Sequence, residues 1–372
     1  MQETPVVILF GMLHMLVATL AVIAVAIALA AIAPRPAREE DEEKDVFGFD
    51  ALPRTPEADL PALRRYTARD GEQLAWRFYD SAAEQILVFI HGSSAHGRSY
   101  HHLAAAIAAA GAAKVVLPNL RGHYLSGRRR GDIDYVGQLE DDIADLIAEL
   151  RNQHFDGPVV LGGHSSGGGF VIRFAGGAYA KLASRFLMLS PVIPTSSTLR
   201  GRSAGGWAQV SLARIIGLSI LNGFGMRGFN ALPVIEFNKP VRFRDGSETL
   251  AYSHRLSISY QPRTRYAADV RKLADKGAVL IGEHDEAVDA QRLRALFERD
   301  SPTTTFTVLP DTNHFEIFTR AAVHERLAQW LMQPPAHGTR LTPAPSRAGS
   351  AHGATADLRD TSPASPHTSR RS

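Results

Sequence analysis

The chain contains no cysteine. That excludes disulfides, a thiolate nucleophile and cysteine-ligated zinc, and leaves the compartment open. An excess of either charge is nearly absent as well: the formal net charge is +3. Residues 335–372 account for all of it, with Arg340, Arg347, Arg359, Arg370 and Arg371 against Asp357 and Asp360, so the remainder is formally neutral. The basic pI of 9.2 is therefore no argument for a nucleic-acid-binding face, and no nucleic-acid partner is expected. Lysine and arginine are missing before residue 6.

What the N-terminus does have is one long apolar run, residues 6–33, interrupted only by Gly11, His14 and Thr19. About twenty such residues suffice to span a bilayer. Ala31-Ile32-Ala33 resembles a signal-peptidase site, but the run exceeds a usual signal core and Glu3 precedes it without a basic residue. These features predict an uncleaved, single-pass anchor over residues 1–35. Arg35, Arg38 and Lys44 flank it on the C-terminal side, which by the positive-inside rule predicts a cytoplasmic catalytic domain.

Residues 36–62 read as a linker: a charge run over 39–45, then Pro53, Pro56 and Pro61. A hairpin is predicted over 66–79, turning at Asp70-Gly71. Beyond it, apolar strand-like runs (86–90, 114–117, 159–161, 186–189, 278–281 and 305–309) alternate with helical patterns (102–110, 136–153 and 291–298). Within 136–153, Leu139, Ile143, Leu146, Ile147 and Leu150 mark one face. Such alternation indicates an α/β fold with a mostly parallel central sheet and helices on both faces. The catalytic domain is expected over 63–333. The alternation breaks at about 192–265, a stretch rich in glycine and aromatics that reads as an inserted cap. Residues 210–221 within it are too short for a second span and predict a lid helix or pocket wall. Residues 334–372 are rich in Pro, Ser, Ala, Gly and Thr and predict a disordered tail.

One pentapeptide carries the chemistry: Gly163-His164-Ser165-Ser166-Gly167, between the apolar run 158–162 and a helix-like run 168–175. A serine on a sharp strand-to-helix turn is held clear of the sheet, and the N–H groups at the start of the helix can meet an oxyanion. Context decides, because Gly201-Arg202-Ser203-Ala204-Gly205 fits the same pattern without a preceding strand, and Gly223 to Gly228 fits a dinucleotide fingerprint without a βαβ unit. A serine nucleophile needs a histidine base and a carboxylate to orient it, in the chain order Ser, acid, His. Downstream of Ser165, one strand end carries Glu283, His284, Asp285, Glu286 and Asp289; the next carries Asn313 and His314.

Together with His91-Gly92-Ser93 and Arg121-Gly122-His123 followed by Ser126, these pieces resemble an α/β-hydrolase of the monoglyceride lipase, lysophospholipase and serine aminopeptidase-like group. The resemblance covers residues 66–331. It implies Ser165 as nucleophile, His314 as base and Asp285 as acid, with the backbone N–H groups of Ser93 and Ser166 as the oxyanion hole. It implies no cofactor and no metal.

Asp289 reads more simply as a helix cap. His284, adjacent to the acid in sequence, is poorly placed to be its partner. His91 is expected to hold its loop by a hydrogen bond, and His164 to pack inside the elbow. His96, His101 and His102 read as surface residues and not as a metal cluster, and Arg128 to Arg130 as a solvated loop. The anchor and the apolar cap favour a lipid-derived ester such as a monoacylglycerol or lysophospholipid. Two alternatives stay open: an aminopeptidase-like amide hydrolase using Glu236, Asp245 or Glu248 to bind an amino terminus, and an inactive membrane-tethered binding scaffold.

Overall fold

A computed structural model describes residues 4–32, 45–194, 198–201 and 206–334. Residues 36–44 of the expected linker, the tail from residue 335, and the decoy Ser203 lie outside the described residues. So do Arg35, Arg38 and Lys44, the basic residues that flank the apolar run.

The N-terminal helix α1 (Thr4–Ile32) is followed by strands β1 (Arg64–Thr67), β2 (Gln73–Tyr79) and β3 (Ile86–Ile90), helix α2 (His101–Ala109) and strand β4 (Lys114–Pro118). Next come α3 (Gln138–Asn152), β5 (Val159–His164), α4 (Ser166–Ala175) and β6 (Arg185–Leu189). A cap follows, comprising β7 (Ala208–Val210), α5 (Leu212–Gly223), β8 (Pro233–Phe237), β9 (Ala251–Ser253) and α6 (His254–Tyr260). The chain then returns through α7 (Tyr266–Arg271), β10 (Gly277–Gly282), α8 (Ala290–Asp300), β11 (Thr305–Leu309), α9 (Glu316–Thr319) and α10 (Ala321–Met332).

The central sheet has eight strands in the order β1-β2-β4-β3-β5-β6-β10-β11. The first two pairings are antiparallel and the rest parallel. Strands β3, β5, β6 and β10 are buried along their whole length, as expected of parallel strands covered on both faces. The β1–β2 hairpin turns through Gly71 at φ 84°, the left-handed conformation that favours glycine. On α3, Leu139, Ile143, Leu146, Ile147 and Leu150 are all buried against the sheet, the face set by their spacing. The central strands lie within a few residues of the positions that apolar runs marked.

The cap differs from expectation in two respects. Its frame is a three-stranded antiparallel sheet, β7-β8-β9, whose strands of three to five residues are too short to show a period of two. Helix α5, expected as a lid or pocket wall, contributes no residue to the main pocket. It packs on the last turns of α1 instead, burying Leu218 and Leu221 with Ala26, Ala30 and Val234. Gly217 makes that approach possible: a Cβ there would lie 2.6 Å from the Ala26 carbonyl oxygen and 2.8 Å from the Ala30 nitrogen. Arg214, itself buried, donates from Nε to the Ala30 carbonyl oxygen (3.1 Å) and from Nη1 to that of Pro233 (2.8 Å), satisfying an acceptor at the helix C-terminus. Within α1, Val7–Ala31 is long and apolar enough to cross a membrane.

Candidate active site

The loops that follow β3, β5, β10 and β11 meet at the C-terminal edge of the parallel strands, where open α/β sheets place their sites. Ser165 stands on the turn between β5 and α4 with φ 56° and ψ −120°, a costly conformation for a residue with a Cβ. Its surroundings over-determine that turn. The Ser165 N–H donates to the Leu189 carbonyl (2.9 Å), and its own carbonyl accepts from Gly169 and Val192 (3.0 Å each). The two flanking glycines are sterically required. A Cβ on Gly163 would fall 2.5 Å from the Gly167 carbonyl carbon, and one on Gly167 would fall 2.4 Å from the Ile90 carbonyl oxygen.

His314 Nε2 lies 3.1 Å from Ser165 Oγ, and His314 Nδ1 lies 2.8 Å from Asp285 Oδ2. The other carboxylate oxygen, Oδ1, accepts from the N–H groups of Ala287 (3.0 Å) and Val288 (2.7 Å). Burial alone would raise the Asp285 carboxyl, but His314 beside it and the Val288 N–H outweigh burial and hold it below the usual carboxylate range. Of the other acidic candidates, Glu283 is exposed. Asp289 caps α8 by accepting from the N–H groups of Gln291 and Arg292. His284 is exposed beside Asp311. Glu286 has a part that residue order did not suggest: its Oε2 accepts the backbone N–H of His314 (2.9 Å).

The hydroxyls of Ser93 and Ser166 hydrogen-bond to each other above the elbow, which brings the two expected oxyanion residues together. Ser166 opens α4, so its N–H has no partner within the helix. The loop carrying Ser93 is held from both sides. Gly92 N–H donates to Tyr100 Oη (2.9 Å), and Ser94 N–H donates to Oη of Tyr252 from the cap (2.8 Å). Tyr252 also contacts His123 Nε2 (2.8 Å), so the cap and the oxyanion loop are hydrogen-bonded to one frame.

His164 does more than pack. Its Nε2 donates to the His314 carbonyl (2.9 Å), which leaves Nδ1 to accept from Tyr100 (2.9 Å). One chain of hydrogen bonds thus runs from Gly92 through Tyr100 and His164 to the backbone of His314. Tyr100 gave no sequence signal, because it sits among ordinary helix-start residues. His91 receives the Leu120 N–H at Nε2 (3.1 Å), so Nδ1 donates to the Gly92 carbonyl (2.9 Å). Arg121 lies behind the site, clamped by Asp142 and Asp70 at 2.7–3.0 Å.

His96 overturns the surface reading. It is buried, lines the pocket, and contacts Ser247 Oγ (3.0 Å). His101 and His102 turn elsewhere, to Tyr79 and Thr55, so the three do not converge on one point. Arg128 is exposed beside Glu72, whereas Arg130 reaches the Glu248 carbonyl in the cap (3.3 Å).

Burial pushes the His91 imidazole down to about 4 and that of His96 to about 3, and holds His123 and His164 well below the usual value. These imidazoles are neutral in the fold, while in the unfolded chain they protonate near pH 6.5. Between those values the unfolded state binds more protons, so stability falls as pH drops below about 6.5. For His96 the loss at pH 5 is about 2 kcal/mol. Thermal unfolding at pH 7 and pH 5 should show the drop, and His96→Gln should make it smaller.

A pocket open to solvent lies above Ser165. Its lining combines apolar side chains, Phe47, Phe49, Leu52, Trp207, Phe315 and Phe318, with polar ones, His96, Arg98, Lys239, Ser247 and Glu248, and the two sets meet where Lys239 Nζ lies 5.8 Å from the Phe49 ring centroid. The charges in this lining are already matched. Glu248 accepts from Lys239 Nζ (2.6 Å) and from two backbone N–H groups, and Arg98 pairs with Asp245.

An eight-stranded sheet of this order, with a serine on the turn after a central strand and an acid and a histidine on the loops after later strands, defines an α/β-hydrolase. The chain belongs to the alpha/beta hydrolase family, whose model matches residues 87–330. Among characterised proteins it is similar to a monoacylglycerol lipase of Mycolicibacterium smegmatis, 31% identical over 114 residues; the aligned stretch covers 31% of this chain and 40% of that protein. Among solved structures, a soluble variant of the Saccharomyces cerevisiae monoglyceride lipase in complex with a substrate analogue superposes with a TM-score of 0.56. It is 18% identical, and the match covers 76% of this chain and 98% of the other. The monoacylglycerol lipase of Paleococcus ferrophilus gives a TM-score of 0.51 at 20% identity, covering 69% and 98%. At those identities the structural likeness speaks to the fold alone.

Proposed function

We propose that this protein is a membrane-anchored serine hydrolase that cleaves lipid-derived carboxylic esters through an acyl-enzyme. The observation that carries the reading is the continuous series Ser165–His314–Asp285, at 3.1 and 2.8 Å, on the floor of a half-aromatic pocket.

In this reading His314 takes the Ser165 proton as the oxygen attacks the ester carbonyl. The carbonyl oxygen becomes an oxyanion facing the N–H groups of Ser93 and Ser166, each donor worth about 3–4 kcal/mol in the transition state. His314 then passes its proton to the departing alcohol. Water, deprotonated by His314, attacks the acyl-serine and releases the acid. Asp285 fixes the imidazole with its proton on Nδ1. The chain's own residues supply every group these steps use.

Pocket chemistry narrows the substrate. An ester with an apolar chain and a polar, uncharged alcohol matches a lining of aromatic side chains and of polar side chains whose charges are already paired. That favours a monoacylglycerol over a lysophospholipid, whose phosphate would have to displace Glu248 from Lys239 or Asp245 from Arg98. The same pairing disfavours an aminopeptidase, because these two carboxylates are engaged by cations of the protein itself. The likeness to monoacylglycerol lipases points the same way. In this reading α1 lies in the bilayer as the anchor, and the basic residues after it support a catalytic domain on the cytoplasmic side.

The test is a fluorophosphonate probe followed by an ester panel. Labelling confined to Ser165, with monoacylglycerol turnover exceeding that of lysophospholipids and aminoacyl amides, is the expected result. An unlabelled Ser165 in folded protein would instead favour the binding scaffold.

A further inference from the structure

Residues 45–52 stand between the apolar N-terminal helix and the first strand of the sheet, in a stretch whose prolines and charge run suggested a solvated tether. They are packed into the active site. Phe47 is only 2% exposed, and its ring stacks on the His314 imidazole at a centroid distance of 4.9 Å and an interplanar angle of 26°. The same ring meets Trp207 of the cap at 5.3 Å and Phe315 at 5.2 Å. Gly48 follows with φ 70°, a left-handed turn. The short helix Phe49–Ala51 comes next, and Phe49 packs edge-on against Phe315 at 4.8 Å and beside Trp207 at 5.5 Å. Leu52 completes the run along the pocket. Three of the pocket's apolar residues therefore come from a segment that precedes the family-matched region 87–330.

A segment that only tethered the domain would not bury a phenylalanine on the histidine beside Ser165. The half-buried Phe49 and Leu52 leave apolar surface facing the space above Ser165. The polar side chains of the lining suit the alcohol half of an ester, and its aromatic side chains suit the hydrocarbon.

We infer that residues 45–52 form the acyl-chain subsite, with Phe49 and Leu52 setting the chain length accepted and Phe47 sealing the imidazole beneath it from water. This rests on the ester-hydrolase reading and adds to it the part of the chain that selects the substrate. The anchor-proximal segment is thereby a working part of the site.

The experiment measures kcat/KM of the full chain for p-nitrophenyl esters from acetate to dodecanoate, in the unsubstituted protein and in Phe49→Ala, Phe49→Trp and Leu52→Trp. Phe47→Ala is avoided as the primary variant because its ring is part of the buried core. Removing an apolar contact from a hydrophobic pocket changes discrimination by about tenfold or more. The decanoate-to-acetate ratio should fall about tenfold in Phe49→Ala, and the two tryptophan variants should move the optimum to shorter chains. As a second readout, a fluorophosphonate with a decyl chain ending in a diazirine, irradiated after it has modified Ser165, should cross-link within residues 45–52. A chain-length profile unmoved in all three variants overturns the inference, as does a uniform loss across the series or a cross-link confined to other segments. An unsubstituted protein that neither hydrolyses any ester nor takes the probe overturns the hydrolase reading and this inference together, an outcome distinct from a working esterase with an unmoved profile.

Discussion

Ser165→Ala is expected to lower kcat for ester hydrolysis by about a million-fold, the scale seen when a nucleophile that acts as a unit with its base is removed. Ser165 Oγ lies within 3.1 Å of the histidine nitrogen that faces the pocket, on a turn whose backbone is fixed by hydrogen bonds to Leu189, Gly169 and Val192. Alanine removes the attacking oxygen and leaves those backbone bonds intact. Thermal unfolding should therefore move little while turnover and fluorophosphonate labelling disappear together. Retained turnover in a folded Ser165→Ala protein would mean that another group attacks the ester, and the proposed mechanism would fail.

The second large effect is expected at Asp285, where Asp285→Asn should cost about four orders of magnitude in kcat with little change in KM. The surroundings of this carboxylate explain why so small a change matters. Oδ1 accepts two backbone N–H groups, from Ala287 and Val288, so an asparagine must place its carbonyl oxygen there. Its amide nitrogen then faces His314 Nδ1, which must become the acceptor. The imidazole proton moves to Nε2 and points at Ser165, and the base is lost although every heavy atom stays in place. Glu286→Gln provides the contrast. Glu286 holds only the backbone N–H of His314, a bond that a glutamine carbonyl can keep, so the loss there should stay below about tenfold. Equal losses at the two positions would show that Asp285 acts merely as one of several acceptors around His314.

Most of the frame was legible because it depends on local regularities. Fully buried parallel strands write continuous apolar runs, α3 writes a helical stripe, and the elbow needs glycine at 163 and 167 for reasons of contact distance. The residues expected at the strand ends, Ser93, Ser165, Ser166, Asp285 and His314, all gather at one edge of the sheet. What escaped is long-range or short-lived in sequence. Tyr100 reaches His164 across 64 positions, and Phe47 reaches His314 across a far longer separation, with no periodicity to announce either contact. The cap strands are too brief for alternation to register. The sequence neighbours of His96 suggest a surface position, whereas the side chain is buried and meets Ser247, contributed from the cap. Helix α5 looked like a lid because it is apolar, but the apolar surface it covers belongs to α1.

That last pairing bears on how the molecule can be divided. Because Gly217 and Arg214 join α5 to Ala26 and Ala30, the N-terminal helix is also one side of the cap's small core. A chain cut near residue 33, by a peptidase or by design, would strip the apolar cover from Leu218, Leu221 and Val234 and take the Ala30 carbonyl from Arg214. The shortened protein would carry a sticky patch in place of the helix, and keeping it soluble would require recolouring that patch with polar side chains as well as deleting the helix.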